Sequence, residues 1–230
     1  MGGARLTQSR LLAVPTPARV RRFVRWLPMR IGYVHGPRLM SWLRKRWVLL
    51  RHPHANISFG KGVYLGPRFS LFIPHEGSFI VGDRVEFRRD FRAEVSGTGR
   101  VTIGSDCVFT YSVLIQCSTT IDIGERCHFG QTTILLDGQH RFRDLSRPML
   151  DQGYDFNSLV IEDDAVITTK CSVMANVGTR AFVGANAVVT RPVPPYTVAV
   201  GAPARPIDYF GPPGGEPEVL STHAISQSPA

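Results

Sequence analysis

The chain holds seven histidines, and they are the side chains whose ordinary pKa lies nearest neutrality. One of them, His140, stands in a polar stretch between two carboxylates, Asp137 and Asp144. A histidine so placed can take a proton from a hydroxyl, while either carboxylate orients the imidazole or accepts a substrate hydroxyl. Arg141, Gln152 and Tyr154 lie in the same stretch and are expected to line a site around it. His128 falls inside a regular repeat and reads as outward-facing or structural, and His52 and His54 bracket Pro53 in a turn. Cys107, Cys117, Cys127 and Cys171 form no CxxC pair and are sparse for a disulfide scaffold, so a reducing compartment and no bound metal are expected.

These groups have to be held by a core. In 230 residues, 43% apolar, there is enough for one well-buried domain with an extension. No apolar run approaches the roughly 20 residues that span a bilayer, and no secretory signal is visible. After residue 55 apolar residues recur every six: Ile57, Val63, Phe69; Val81, Phe87, Ala93; Ile103, Phe109, Ile115; Ile123, Phe129, Leu135; Ile161, Ile167, Val173; Val177, Val183, Val189. A period of six is neither helical nor a simple alternation. It marks a parallel β-helix whose coils take three hexapeptides, about 18 residues each. Small residues, among them Cys107, Cys127, Ala165, Cys171 and Ala187, fall four after the apolar one and fit the corners. Cys117 is off that register. The repeat is interrupted by DGQHRFRDLSRPMLDQGYDFNS, residues 137–158, a loop long enough to be functional.

Charge divides the chain. Residues 1–75 carry 14 Lys/Arg and no acid, while the rest has 13 basic and 18 acidic residues, a net of −5. Apolar residues at helical spacing from Val20 to about Leu50 predict two basic amphipathic helices, broken near Pro28 to Gly36. A cap packed on the main domain and a face for anionic lipid both fit; no nucleic-acid module follows. The expected organisation is a partly helical basic extension over 1–54, a β-helix over 55–210 with an ejected loop at 137–158, and a disordered tail over 211–230.

Residues 101–207, and above all AFVGANAVVTRPVPPYTVAVGAPARPI at 181–207, resemble the hexapeptide-repeat acyltransferases, most closely the maltose, galactoside and nodulation sugar O-acetyltransferase branch. The resemblance implies an all-β solenoid, a left-handed parallel β-helix, assembled as a homotrimer with active sites between subunits. It implies an acyl-CoA co-substrate, acetyl-CoA or succinyl-CoA, no metal, and a saccharide or glycoconjugate acceptor. His140 is the eighteenth residue from Ile123, the offset of the family's catalytic histidine, and is expected to act as general base with Asp137 as its partner. Many relatives have Asp-His-x-His there; here Gly138 replaces the first histidine. By the same carry-over Thr169, Ala185, Thr190, Arg191 and Arg205 are expected to contact CoA, and Lys170 joins them on spacing alone. Two departures touch the donor groove: Thr168 stands where the family usually has Gly, and the turn between Val173 and Val183 is about two residues short. Arg141, Arg143 and Arg147 near His140 leave room for a charged acyl group such as succinyl.

The reducing compartment read from the cysteines makes a cytoplasmic protein the expectation, and the basic helices add the option of contact with the inner face of an anionic membrane. A zinc hydratase of the same fold would want loop histidines about five apart, whereas His128 and His140 are twelve apart. A scaffold or membrane-docking protein with an inactive site is the remaining alternative.

Overall fold

The structure is a computed structural model that describes residues 36–218 and 220. The first expected basic helix and most of the expected tail lie outside the described residues. The chain divides into two compact units, 1–40 and 41–230. The second begins within helix α1 (Gly36–Arg51) and contains the solenoid.

The solenoid is built from short strands on three parallel sheets. Sheet A stacks β1 (Asn56–Phe59), β4 (Ser78–Val81), β7 (Arg100–Ile103), β10 (Thr120–Ile123) and β15 (Leu159–Ile161). Sheet B stacks β2 (Tyr64–Leu65), β5 (Glu86–Phe87), β8 (Val108–Phe109), β11 (His128–Phe129), β16 (Val166–Ile167), β18 (Phe182–Val183) and β20 (Thr197–Val200). Sheet C stacks β3 (Ser70–Phe72), β6 (Arg92–Val95), β9 (Leu114–Cys117), β12 (Ile134–Leu136), β17 (Ser172–Val173) and β19 (Val188–Val189). The chain visits A, B and C in turn, so equivalent residues of successive coils lie side by side and bury one continuous core. In sheet B, Phe87, Phe109 and Phe129 stack face to face, with centroids 5.0 and 4.5 Å apart.

The coils depart from three plain hexapeptides. Asn56, Ser78, Arg100 and Thr120 align at steps of 22, 22 and 20. Beyond the loop Val166, Phe182 and Val198 align at steps of 16. The longer coils arise because A strands turn two residues inward, such as Val101 and Ile103, and β6 and β9 do the same in sheet C with Val95 and Cys117. This places Cys117, which sits beside Val95 as a second inward residue. It also corrects the first coil: Phe59, Leu65 and Leu71, not Ile57, Val63 and Phe69, align with Val81, Phe87 and Ala93, and Ile57 falls in the neighbouring inward column of Phe79 and Val101. In the last coils the A side shrinks to single bridges at Val177 and Val193, which accounts for the short turn after Val173.

Each A–B and B–C corner among the described residues carries a residue with positive φ. Only one of those at the described A–B corners is glycine, Gly62; the others are Arg84, Asp106, Arg126, Asp164, Arg180 and Tyr196. This conformation costs an L-residue roughly 1–2 kcal/mol. The corner residues answer one another along the stack. Arg84 pairs with Asp106 at 2.6 Å and Arg126 with Asp164 at 2.7 Å. Hydrogen bonds from these arginines hold both carboxyls below the usual range. The pairs are exposed and each adds little.

The ends are covered. Strand β2 would leave backbone groups unpaired at the first edge. Helix α1 meets them: Leu65 N–H donates to Ser41 Oγ at 2.8 Å, Arg44 donates to Leu65 O at 2.9 Å, and Lys45 donates to Val63 O at 2.8 Å. Val48 joins the core beneath, and burial lowers the pKa of Lys45. At the far end β21 (Arg205–Tyr209) turns back antiparallel onto β20.

All four cysteines are buried and unpaired. Burial pushes the Cys117 thiol up to about 12 and raises Cys171. A thiol reagent such as Ellman's should therefore titrate none of the four in the native protein and all four after denaturation; rapid native labelling would contradict this packing.

Candidate active site

The chain leaves the β-helix at Asp137 and rejoins it at Leu159. Between these points β13 (Gly138–His140) and β14 (Tyr154–Phe156) pair antiparallel, His140 opposite Tyr154 and Gly138 opposite Phe156. Alternation puts Gly138, His140, Tyr154 and Phe156 on one face, and Gln139, Arg141 and Asp155 on the other. Arg141 Nε donates to Asp155 Oδ1 at 2.6 Å across the second face.

His140 is exposed, and its ring lies 4.1 Å from that of Tyr154, tilted by 37°. Tyr154 in turn stacks on Phe156 at 5.5 Å. The imidazole makes no hydrogen bond to any described residue. The same stack explains Gly138. A Cβ at that position would fall inside van der Waals contact of the Phe156 ring, 2.6 Å from Cε1. The space that a side chain at position 138 would take is thus filled by the Phe156 ring.

Asp137, expected to partner His140, makes no hydrogen bond to it. It is buried, and its Oδ2 accepts from Ser118 N–H at 2.7 Å, Thr119 N–H at 2.5 Å and Thr119 Oγ1 at 2.9 Å. It pins the root of the hairpin to the preceding coil, where the backbone turns after Cys117. Asp144 and Gln152 are likewise occupied within the loop. Asp144 accepts from Ser146 N–H and Oγ, which lowers its pKa, and the buried Gln152 amide bridges Asp144 N–H, Asp144 O and Arg147 O. They shape the loop around a 3-10 turn at Met149–Gln152.

A cavity of about 500 Å³ opens beside His140, lined by Arg141, Asp144 and Gln152 together with Gln139, Phe142, Arg143, Arg147 and Asp155. Among the described residues, Arg141 alone of the three arginines makes an ion pair; Arg143 lies over the Phe142 ring and Arg147 donates to Asp151 O. Sequence reasoning does not single out Gln139 or Asp155 as lining residues. Both lie in the ejected loop, and only the pairing of β13 with β14 shows that they share a face. Tyr154 and Phe156 face a second cavity of about 340 Å³ on the other side of the hairpin, with Glu94 and Gln116.

The expected donor-site residues are spread over the C-terminal coils. Thr190 reaches the hairpin: it lines a cavity of about 150 Å³ with Asp137, Gly138, Gln139, Asn157 and Met174. Lys170 is a positive-φ corner residue whose N–H donates to Gln131 O, and Thr169 O accepts from Asn186 N–H. Ala185 lies in an exposed turn, Arg191 is exposed just past β19, and Arg205 is exposed on β21. None of these basic residues makes an ion pair with a described residue. The Thr168 departure has a local account: its hydroxyl donates to Val183 O at 2.7 Å, as Thr110 does to Phe129 O. Among the described residues no three His, Cys, Asp or Glu side chains converge on one point. His128 faces outward from sheet B, and burial followed by Arg88 lowers its pKa.

Loss of the Asp137 carboxylate removes the charged acceptor of three part-buried hydrogen bonds, from Ser118 N–H, Thr119 N–H and Thr119 Oγ1. Asp137→Ala should destabilise the protein by about 2–3 kcal/mol, a fall of about 4–10 °C in melting temperature. Asp137→Asn should recover part of that, because its amide oxygen can still accept. A variant of normal stability would show that the carboxylate does not hold the hairpin.

No family model matches the sequence. The chain is 29% identical over 153 residues to a probable acetyltransferase of Mycobacterium tuberculosis, a match that takes in 66% of this chain and 43% of that one. It therefore spans less than half the length of that relative. Among solved structures, a hexapeptide-repeat acetyltransferase of Vibrio cholerae, complexed with acetyl-CoA, matches with a TM-score of 0.50 at 23% identity, over 74% of this chain and 78% of that one. A mutant of AntD, an N-acyltransferase of Bacillus cereus in complex with dTDP and CoA, matches with a TM-score of 0.52 at 18% identity, over 70% and 88%. The fold of this chain is that of the hexapeptide-repeat acetyltransferases, a left-handed parallel β-helix.

Proposed function

We propose that this chain is an acyl-CoA-dependent O-acyltransferase that moves an acetyl or other short acyl group, such as succinyl, to a hydroxyl of a saccharide or glycoconjugate precursor. The observation that carries this reading is His140: an exposed imidazole with no hydrogen-bond partner among the described residues, held by aromatic stacking at the rim of a cavity. The likeness to acetyl- and acyltransferases, two of them with CoA species bound, supports the donor.

A sugar hydroxyl barely ionises at neutral pH, while a thioester is already activated, so the reaction needs a base more than a metal. His140 takes the hydroxyl proton as the oxygen adds to the thioester carbonyl. The tetrahedral oxyanion then collapses, the C–S bond breaks, and the imidazolium returns the proton to the leaving thiolate. The products are an ester and free CoA thiol. The donor is read as entering past Thr190 and Met174, with Lys170, Arg191 and Arg205 available to its phosphates. Arg143 and Arg147, without carboxylate partners among the described residues, favour an acceptor or acyl group bearing negative charge. Assembly as a homotrimer, with a neighbouring copy completing each site, belongs to the same reading. No described helix is long and apolar enough to cross a membrane.

The test pairs binding with turnover. Acetyl-CoA or succinyl-CoA should raise the melting temperature by mass action, in the native chain and in His140→Ala alike. His140→Ala should lose roughly a hundredfold or more in acceptor-dependent thiol release. Absence of any shift with acyl-CoA would remove the acyltransferase reading, and near-normal turnover would remove His140 as the base.

A further inference from the structure

We infer that the outward face of α1 docks on the surface of an anionic lipid bilayer. The helix has two faces, and the solenoid uses one. Ser41, Arg44, Lys45 and Val48 point at the first coil and are held there by hydrogen bonds and core packing. The opposite face carries Leu43, Trp47 and Leu50 at helical spacing of four and three, with Trp42 beside them. Trp47 keeps 64% of its surface exposed, Leu50 75% and Trp42 51%. Arg46 lies over the Trp42 ring at 5.4 Å, and Arg51 closes the helix. A rigid helix held against a folded domain, with its Trp and Leu side chains outward and arginines at their margin, matches the interfacial helix of peripheral membrane proteins.

Charge chooses the occupant. The helix has no acidic residue, and the first acid in the chain is Glu76. A second copy on this face would bring arginine against arginine around the apolar stripe. Residues 1–35 likewise contain seven arginines and no acid. An anionic bilayer supplies what this face lacks in one surface, negative headgroups for the arginines and an acyl boundary for Trp47 and Leu50. A soluble polyanion satisfies only the charge.

The experiment uses the full chain, with Trp26→Phe so that emission reports on Trp42 and Trp47. Co-sedimentation is measured with vesicles of phosphatidylserine in phosphatidylcholine and with phosphatidylcholine alone. Binding to the anionic vesicles, a blue shift in emission, and loss of binding as salt is raised are expected. Trp47→Ser with Leu50→Ser should lower the vesicle partition roughly tenfold or more, at unchanged melting temperature because both side chains are exposed. Arg46→Gln with Arg51→Gln should weaken the preference for the anionic vesicles. The proposal falls if anionic vesicles do not bind at low salt, or if the Trp47/Leu50 variant binds as well as the parent. It also falls if that variant converts a larger species to a smaller one without vesicles, which would make this face a contact between copies. Heparin binding as tightly as vesicles, with no emission shift, would overturn it too. None of these readouts depends on acyl transfer.

Discussion

In a solenoid of this kind every coil has to return to the register of the coil before it, because each inward side chain packs on its counterpart one layer away and each strand hydrogen-bonds to the same neighbour. Phe87, Phe109 and Phe129 show the constraint at its tightest. A coil can lengthen only by whole dipeptides turned inward, or by ejecting residues altogether, since a slip of one would turn the apolar set outward. The first solution is the longer coil, which sets Arg100 beside Ser78 and Thr120 beside Arg100. The second is the step of 38 between Ile121 and Leu159, in which the surplus leaves the core and forms the hairpin that carries the candidate site.

The ejected segment is a small β-hairpin with a structured turn, and its position rests on a few contacts. Asp137 ties its root to Ser118 and Thr119, Gln152 organises its tip, and the Tyr154–Phe156 stack sets the plane of His140. Gly138 belongs to that stack by absence, leaving room for the Phe156 ring. The acids nearest His140 in sequence therefore serve the loop's architecture, and the charge left open toward the cavity is that of arginines.

Both ends of the solenoid answer the edge problem of open sheets. At the far end the chain pairs with itself through β21; at the near end a basic helix supplies side-chain donors and one acceptor to β2. Cations committed to backbone carbonyls have partners, whereas Arg46 and Arg51 on the other side of the helix meet no carboxylate among the described residues. One short element thus closes the core with one face and presents Trp47 and Leu50 to its surroundings with the other.

The repeat of six and the small corner residues make the β-helix legible from sequence, and from Val81 onward the apolar columns read in their true register. The ejected loop, with His140 in it, is equally legible, because the polar run from Asp137 to Ser158 cannot hide in a hexapeptide period. The first coil reads two positions out of place because Ile57 and Phe59 are both apolar, and alternation alone does not say which aligns with Val81. Cys117 and the coil lengths need the neighbouring strand, and the role of Asp137 needs Ser118 and Thr119, one coil earlier in the chain. What the sequence determined by itself was local and periodic: which residues are apolar, how often they recur and where the recurrence stops. What only the tertiary structure decided was whom the polar side chains meet, because those contacts join successive coils, and their spacing is set by coil length, which the apolar period leaves open.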